Sequence, residues 1–371
     1  MATHADKPTL LIISQTLRRD LEDPLKYFTR LNIVHCYTDA GYGDMRPEDF
    51  SSQPLKYTTP KELEQRLWKI RPDIIQAQEP YASRLALKNA WVVAKYAKAT
   101  NTPFFFPVFE NRPPRAKYGL LRAWIVQLVV RWFGRQATGI VTLNNGAERN
   151  LRAAGIPKRK LTRLNWGTWG IDMAEFTPNE SMRSKRPLVF FVGRVSTAKG
   201  VPDLLAAWPQ ILEANPTAHL VVAGPGDDQD LRTAIKHSPA TDSLGPIKNA
   251  ELASYFQRAW VTVAPSTTTA AWEEQVGMVN LQSMACGTPV VSTTSGAIPE
   301  YVTDGQGASL VSEHSPRQIA EAVNKLLSDA TFRSKQVVLG RRYVAERYEV
   351  RQNVVRDEDY VLGLLAKKAA A

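Results

Sequence analysis

Five short β-rich apolar runs stand out in the first half of the chain: TLLIIS (9–14), LNIVHCY (31–37), DIIQAQ (73–78), PFFFPVF (103–109) and TGIVTLN (138–144). Between them lie segments of helical period such as KELEQRLWKI and YASRLALKNAWVVAKYAKA. That alternation predicts a parallel sheet with helices on both faces. The polar, proline-bounded stretch MAEFTPNESMRSKRP after Asp172 reads as a linker. A second series then follows, PLVFFVG (187–193), AHLVVAG (218–224), AWVTVAPS (259–266) and TPVVSTT (288–294), again with helical segments between. The pattern predicts α/β architecture in two Rossmann-like, doubly wound domains facing across a cleft, with ligands beyond the carboxyl ends of the strands. The expected division is 1–180 and 181–349, with a helix over 350–371 completing the first domain.

One helix differs from the rest. Along KYGLLRAWIVQLVVRWFG (117–134), 100° per residue gathers Leu121, Trp124, Ile125, Leu128 and Trp132 into one stripe, with Arg122 and Arg131 on either side. Such a stripe either packs on a sheet or enters a bilayer surface while the guanidiniums reach lipid phosphates. Both readings fit the sequence.

At 371 residues and 22% charged, the chain has the size and composition of a two-domain globular protein. The net charge of +11 is concentrated: residues 1–180 hold 27 Lys+Arg against 17 Asp+Glu, and 181–371 hold 20 against 19. From Arg112 to Arg163 twelve basic residues accompany one acid, Glu148, so an anionic partner is expected. No nucleic-acid motif accompanies the basic run, and nucleic acid is not expected. Cys36 and Cys286 have no ligand or disulfide spacing, and the N-terminal stretch is too weakly apolar for a signal peptide or membrane span. A cytoplasmic protein, peripheral on the inner face of the membrane, is the expectation.

Candidate chemistry lies in the second half. PLVFFV ends in Gly193-Arg194, and Lys199-Gly200 follow just before a helix, so a guanidinium and an ammonium arrive at the top of one strand. Glu273 and Glu274 lead through Gly277 into VNLQSMA, and a helix that opens at glycine offers free N–H groups and a positive dipole end to a pyrophosphate. The five histidines lack metal-ligand spacing. Asp228-Gln229-Asp230 and Asp357-Glu358-Asp359 match D-x-D, a pattern common in acidic loops, so no metal is assigned.

Taken in order, Gly193-Arg194, Lys199-Gly200, Leu244-Gly245, Pro265-Ser266, Glu274 with position 282, Met284-Ala285-Cys286-Gly287-Thr288-Pro289-Val290-Val291 and Gly296-Ala297-Ile298-Pro299-Glu300 resemble the retaining family-4 glycosyltransferases of the GT-B fold, the glycosyl transferases group 1. The resemblance is close over about 187–311 and looser elsewhere. It implies transfer of a sugar from a nucleotide-diphosphate sugar to a hydroxyl acceptor, with retained configuration and no cofactor or metal. It further implies that Arg194 and Lys199 hold the diphosphate beside Gly193, that N–H groups around Gly277, Met278 and Val279 cap it, and that Ile247 meets the base. Glu274, or Glu273 if the loop is shifted by one, would face the donor sugar, and position 282 the ribose.

The chain departs from the family in two places. Gln282 replaces the usual glutamate, exchanging a charged acceptor for one neutral oxygen and two donors. The family's N-terminal glycine pair and histidine are missing, and Glu110 and Asn111 become the candidates for sugar or acceptor contacts. Those departures keep open a lapsed sugar-nucleotide-binding protein and a GT-B-fold sugar-nucleotide epimerase as alternatives. The basic first half favours a lipid-linked or otherwise anionic acceptor.

Overall fold

The computed structural model describes residues 7–40, 50 and 52–369; the expectation for the N-terminal stretch falls partly on residues 1–6, outside them. The chain divides into two compact units, Met1–Gly170 with Val350–Ala371, and Ile171–Glu349.

Unit 1 is built on a seven-stranded sheet: β1 Thr9–Ile13, β2 Asn32–Tyr37, β3 Gln53–Lys56, β4 Ile74–Gln76, β5 Phe104–Val108, β6 Gly139–Thr142 and β7 Leu161–Arg163. All its pairs are parallel, in the order 3-2-1-4-5-6-7. β5 shows why the run FFF is a strand buried on both faces. Phe104 and Phe106 pack on Phe133 at 4.9 and 5.1 Å. Phe105, pointing the other way, meets Trp166 at 4.8 Å and Tyr360 of the Val350–Ala369 helix at 5.5 Å, both edge-on. Each buried ring contributes on the order of 1.5–3 kcal/mol, and the Tyr360 contact fixes the C-terminal helix to unit 1.

Unit 2 carries six parallel strands: β8 Leu188–Val192, β9 His219–Ala223, β10 Thr241–Gly245, β11 Val261–Ala264, β12 Val290–Thr293 and β13 Ala308–Val311. Their order is 10-9-8-11-12-13. In both units the order reverses beside the first strand, next to β4 in one and β11 in the other, and open α/β sheets take their ligands at that reversal.

The segment read as a linker is instead pinned to unit 2. Gln257 Nε2 donates to Thr177 O at 2.8 Å, and Trp260 Nε1 donates to Ser184 O at 2.8 Å. The Arg183 guanidinium reaches Ala259 O, Thr288 Oγ1 and Gly287 O. A single arginine that donates to two carbonyls and a hydroxyl turns a polar stretch into fixed structure, a role composition does not display.

Candidate functional site

In unit 2 the loops after β8 and β11 are locked together by backbone. Gly200 has φ +70°, and a Cβ there would lie 1.7 Å from Pro265 O, so glycine is required by conformation and by space. Thr267 N–H donates to Ala198 O at 2.9 Å, and its hydroxyl to Thr197 O at 2.9 Å. This clamp brings Lys199 to Glu274, with Nζ 2.6 Å from Oε2. Ser266 Oγ donates to the same oxygen at 2.8 Å, and the ammonium lies 4.6 Å from the centre of the Trp272 ring. Lys199 therefore meets Glu274 and not Glu273. Ala297 N–H holds the Glu274 carbonyl at 2.8 Å.

Three residues beyond Glu274 the Met278–Ala285 helix begins at Gly277, φ +78°. Met278 and Val279 occupy its first turn, where N–H groups lack intrahelical acceptors. Asn280, on the same turn, is 1% exposed and its Oδ1 has no hydrogen-bond partner among the described residues. Gln282 is half-buried further along this helix. Gly193 donates its N–H to Ala223 O at 3.0 Å, and a Cβ on Gly224 would come within 1.8 Å of Gly193 O, so the turns after β8 and β9 touch backbone to backbone. Arg194 beside them is exposed. Ile247 is half-buried just after Gly245, φ +69°, at the end of β10. Unit 2 thus gathers Gly193, Arg194, Lys199, Glu274 and the Gly277 helix start at carboxyl ends of its strands.

The sequence did not single out Glu313. Its carboxylate accepts from Thr268 N–H and, at 2.9 Å, from Thr268 Oγ1, which also lies 3.1 Å from Ser295 Oγ. No motif signals this contact, because it joins loops that follow different strands.

In unit 1 the two candidate residues lie in a tightly held turn. Glu110 is 8% exposed; it pairs with Lys117 Nζ and accepts Arg112 N–H at 3.1 Å. Asn111 is buried, its backbone so close to Gly146 that a Cβ there would fall 2.7 Å from Asn111 O. The turn is held from the side by Glu79, whose Oε1 accepts Phe109 N–H at 3.0 Å, Glu110 N–H at 3.2 Å and the Tyr81 hydroxyl at 2.8 Å. Burial pushes the Glu79 carboxyl up to about 7, and the Glu110 charge adds to the rise. Glu79 lies one residue beyond DIIQAQ, the run read as a strand, and no motif marks it.

The D-x-D triplets take structural places. Asp228 caps a helix by accepting Leu231 N–H at 3.0 Å. Glu358 accepts Thr29 and Arg30 N–H at 2.8 and 2.6 Å, Asp359 pairs with Arg30, and Asp357 is buried. Among the described residues no group of three His, Cys, Asp or Glu could hold a metal ion.

The helix stripe resolves against the core reading. Within the Pro114–Gln136 helix, Ala123, Val130 and Phe133 face the core. Leu121, Trp124, Ile125, Leu128 and Trp132 remain 73, 59, 49, 44 and 39% exposed. Among the described residues no helix is long and apolar enough to cross a membrane.

Two parallel sheets with the same strand order, each with its strand reversal, define a two-domain α/β protein of GT-B type. The chain belongs to the glycosyl transferases group 1: that family's model matches residues 186–329, and a glycosyl transferase 4-like domain matches 34–167. It is 34% identical over 192 residues to D-inositol 3-phosphate glycosyltransferase of Thermobifida fusca, covering 46% of this chain and 43% of that one. To glycogen synthase of Mycobacterium tuberculosis it is 26% identical over 303 residues, covering 76% and 66%. The chain thus spans less than two thirds of either relative's length. The crystal structure of Anabaena HepE (Alr3699), in complex with UDP and glucose, shares the fold at TM-score 0.77 and 16% identity, over 96% of this chain and 100% of that one.

Proposed function

We propose that the chain is a glycosyltransferase that binds a nucleotide-diphosphate sugar in unit 2 and transfers the sugar, with retained configuration, to a hydroxyl acceptor. The observation that carries this is the Lys199–Glu274 pair beside a helix start: a cation, a carboxylate and the N–H groups of a helix's first turn lie within one pair of loops. In the reaction the acceptor oxygen attacks the anomeric carbon from the face the diphosphate leaves, and the departing phosphate oxygen takes the acceptor's proton. Charge accumulates on the diphosphate in the transition state. Arg194, Lys199 and the N–H groups of Met278 and Val279 meet it without a metal, each group stabilising by a few kcal/mol, on the order of an oxyanion-hole donor. Glu274 orients the sugar, Gln282 the ribose, Gly193 lets the phosphate approach, and Ile247 borders the base.

The acceptor side falls to unit 1. The exposed apolar stripe and the basic residues around it support a lipid-linked acceptor at the cytoplasmic face of an anionic membrane. Mass spectrometry after incubation with UDP-, GDP- and other nucleotide sugars tests the reading. Release or transfer of a sugar from one of them is expected. An isomerised sugar would establish an epimerase instead, and unchanged donors a lapsed binder.

A further inference from the structure

Apart from the donor loops, unit 1 holds a chain of side chains arranged as an activated nucleophile. Ser14 follows β1 at the point where strand order reverses toward β4. Its Oγ lies 2.7 Å from His35 Nε2. The other ring nitrogen, Nδ1, is hydrogen bonded to Glu22 Oε1, and the second oxygen of Glu22 accepts from the Ser52 hydroxyl. His35 and Glu22 are 2% and 1% exposed, whereas Ser14 is only partly buried.

A carboxylate at Nδ1 places the ring proton there and turns the Nε2 lone pair toward the serine. The hydroxyl then has two acceptors, Nε2 at 2.7 Å and Thr16 O at 3.1 Å, and the shorter contact is to the base. Were the Glu22–His35 pair only a tether between the Arg19–Glu22 turn and β2, Nε2 would need no partner that reaches solvent. It is directed to the side chain that does. The Gln15 N–H, on the residue after the serine, donates to no described residue, and hydrolases draw an oxyanion donor from that position.

We propose that Ser14 is a nucleophilic serine, with His35 as its base and Glu22 as the group that positions His35, and that it takes the acyl group of a carboxylic ester. Ser14 Oγ attacks the carbonyl carbon while its proton passes to Nε2. The C–O bond to the alcohol breaks, and the alcohol leaves with that proton. Water, deprotonated by Nε2, then attacks the acyl-serine, releasing the carboxylic acid and restoring Ser14. This activity is separate from sugar transfer and does not depend on the donor-site reading.

The full chain is treated with a fluorophosphonate, which serine nucleophiles attack at phosphorus with loss of fluoride, and separately with p-nitrophenyl acetate. Intact-mass and peptide analysis should find one adduct, on Ser14, absent in Ser14→Ala. His35→Gln and Glu22→Gln should label at least about tenfold more slowly. Because those two replacements are buried, melting temperatures are recorded beside the labelling rates, and p-nitrophenyl acetate is also followed for a burst of p-nitrophenol, the mark of an acyl-serine. No adduct, an adduct on another residue, or labelling of a folded His35→Gln at the wild-type rate would overturn the proposal.

Discussion

Lys199 has two partners before any ligand arrives, a carboxylate at 2.6 Å and an indole face at 4.6 Å. Under the proposed donor reading a diphosphate would draw the ammonium from Glu274, or share it, and the exchange would free Glu274 toward the sugar. This coupling was half legible in sequence: the family resemblance, by its spacing to position 282, pointed to Glu274 and left Glu273 open, but only the Gly200–Pro265 clamp shows why Glu274 reaches Lys199. Gln282 allows a test at the same site. If it contacts ribose, Gln282→Glu supplies a charged acceptor and should tighten nucleotide binding about fivefold, on the order of 1 kcal/mol, by calorimetry. Weaker binding would mean that the amide's own donors are in use.

Glu79 makes a prediction about stability. Its carboxyl is raised from the ordinary 4.5 to about 7 by burial, so the folded chain keeps a proton that the unfolded chain has released. Stability is therefore lost as pH rises from about 4.5 to about 7 and stays lower above that. Glu79→Gln retains an oxygen for the Phe109 and Glu110 N–H groups without the charge. Its melting temperature relative to wild type should be more favourable at pH 8 than at pH 5. A difference independent of pH would show that Glu79 does not titrate in this range.

At the scale of elements, the Pro114–Gln136 helix separates what periodicity reveals from what it does not. The stripe was visible in sequence because 100° per residue is a property of the helix itself. Its exposure was not, since a core-facing and a membrane-facing stripe share one pattern; the smaller residues Ala123 and Val130, with Phe133, supply the packed face. Leu121→Glu with Trp124→Glu removes apolar area from the exposed face only. The double variant should keep the wild-type melting temperature and lose most sedimentation with anionic vesicles at low salt, and added salt should release the wild type. Equal sedimentation of both proteins would remove this helix from any membrane contact.

Over the whole molecule, the central strands were legible because each is a continuous apolar run bounded by turns. The outer strands β3, β7, β10 and β13 were not, for two different reasons. Exposed positions break the apolar pattern, as in β10, where Asp242, Ser243 and Leu244 are exposed. In β7 the sequence LTR holds one apolar residue and no buried position, so no apolar run marks it. The donor-side candidates could be named because glycine-punctuated motifs in a fixed order resemble those of a known family. Unit 1 hid its chemistry: Glu79 and the Ser14–His35–Glu22 chain are assembled from residues distant in sequence, and the Lys117 partner of the candidate Glu110 lies on the next helix. The central claim is that protein cations, and no metal, stabilise a departing diphosphate in unit 2. The most direct measurement is turnover of the preferred nucleotide sugar, in excess EDTA, by wild type and Lys199→Ala. Wild type should keep its rate, and the variant should fall at least about tenfold, a loss of roughly 1.4 kcal/mol or more of transition-state stabilisation, with its melting temperature unchanged. Full turnover by Lys199→Ala, or loss of wild-type turnover that Mg²⁺ or Mn²⁺ restores, would contradict the account.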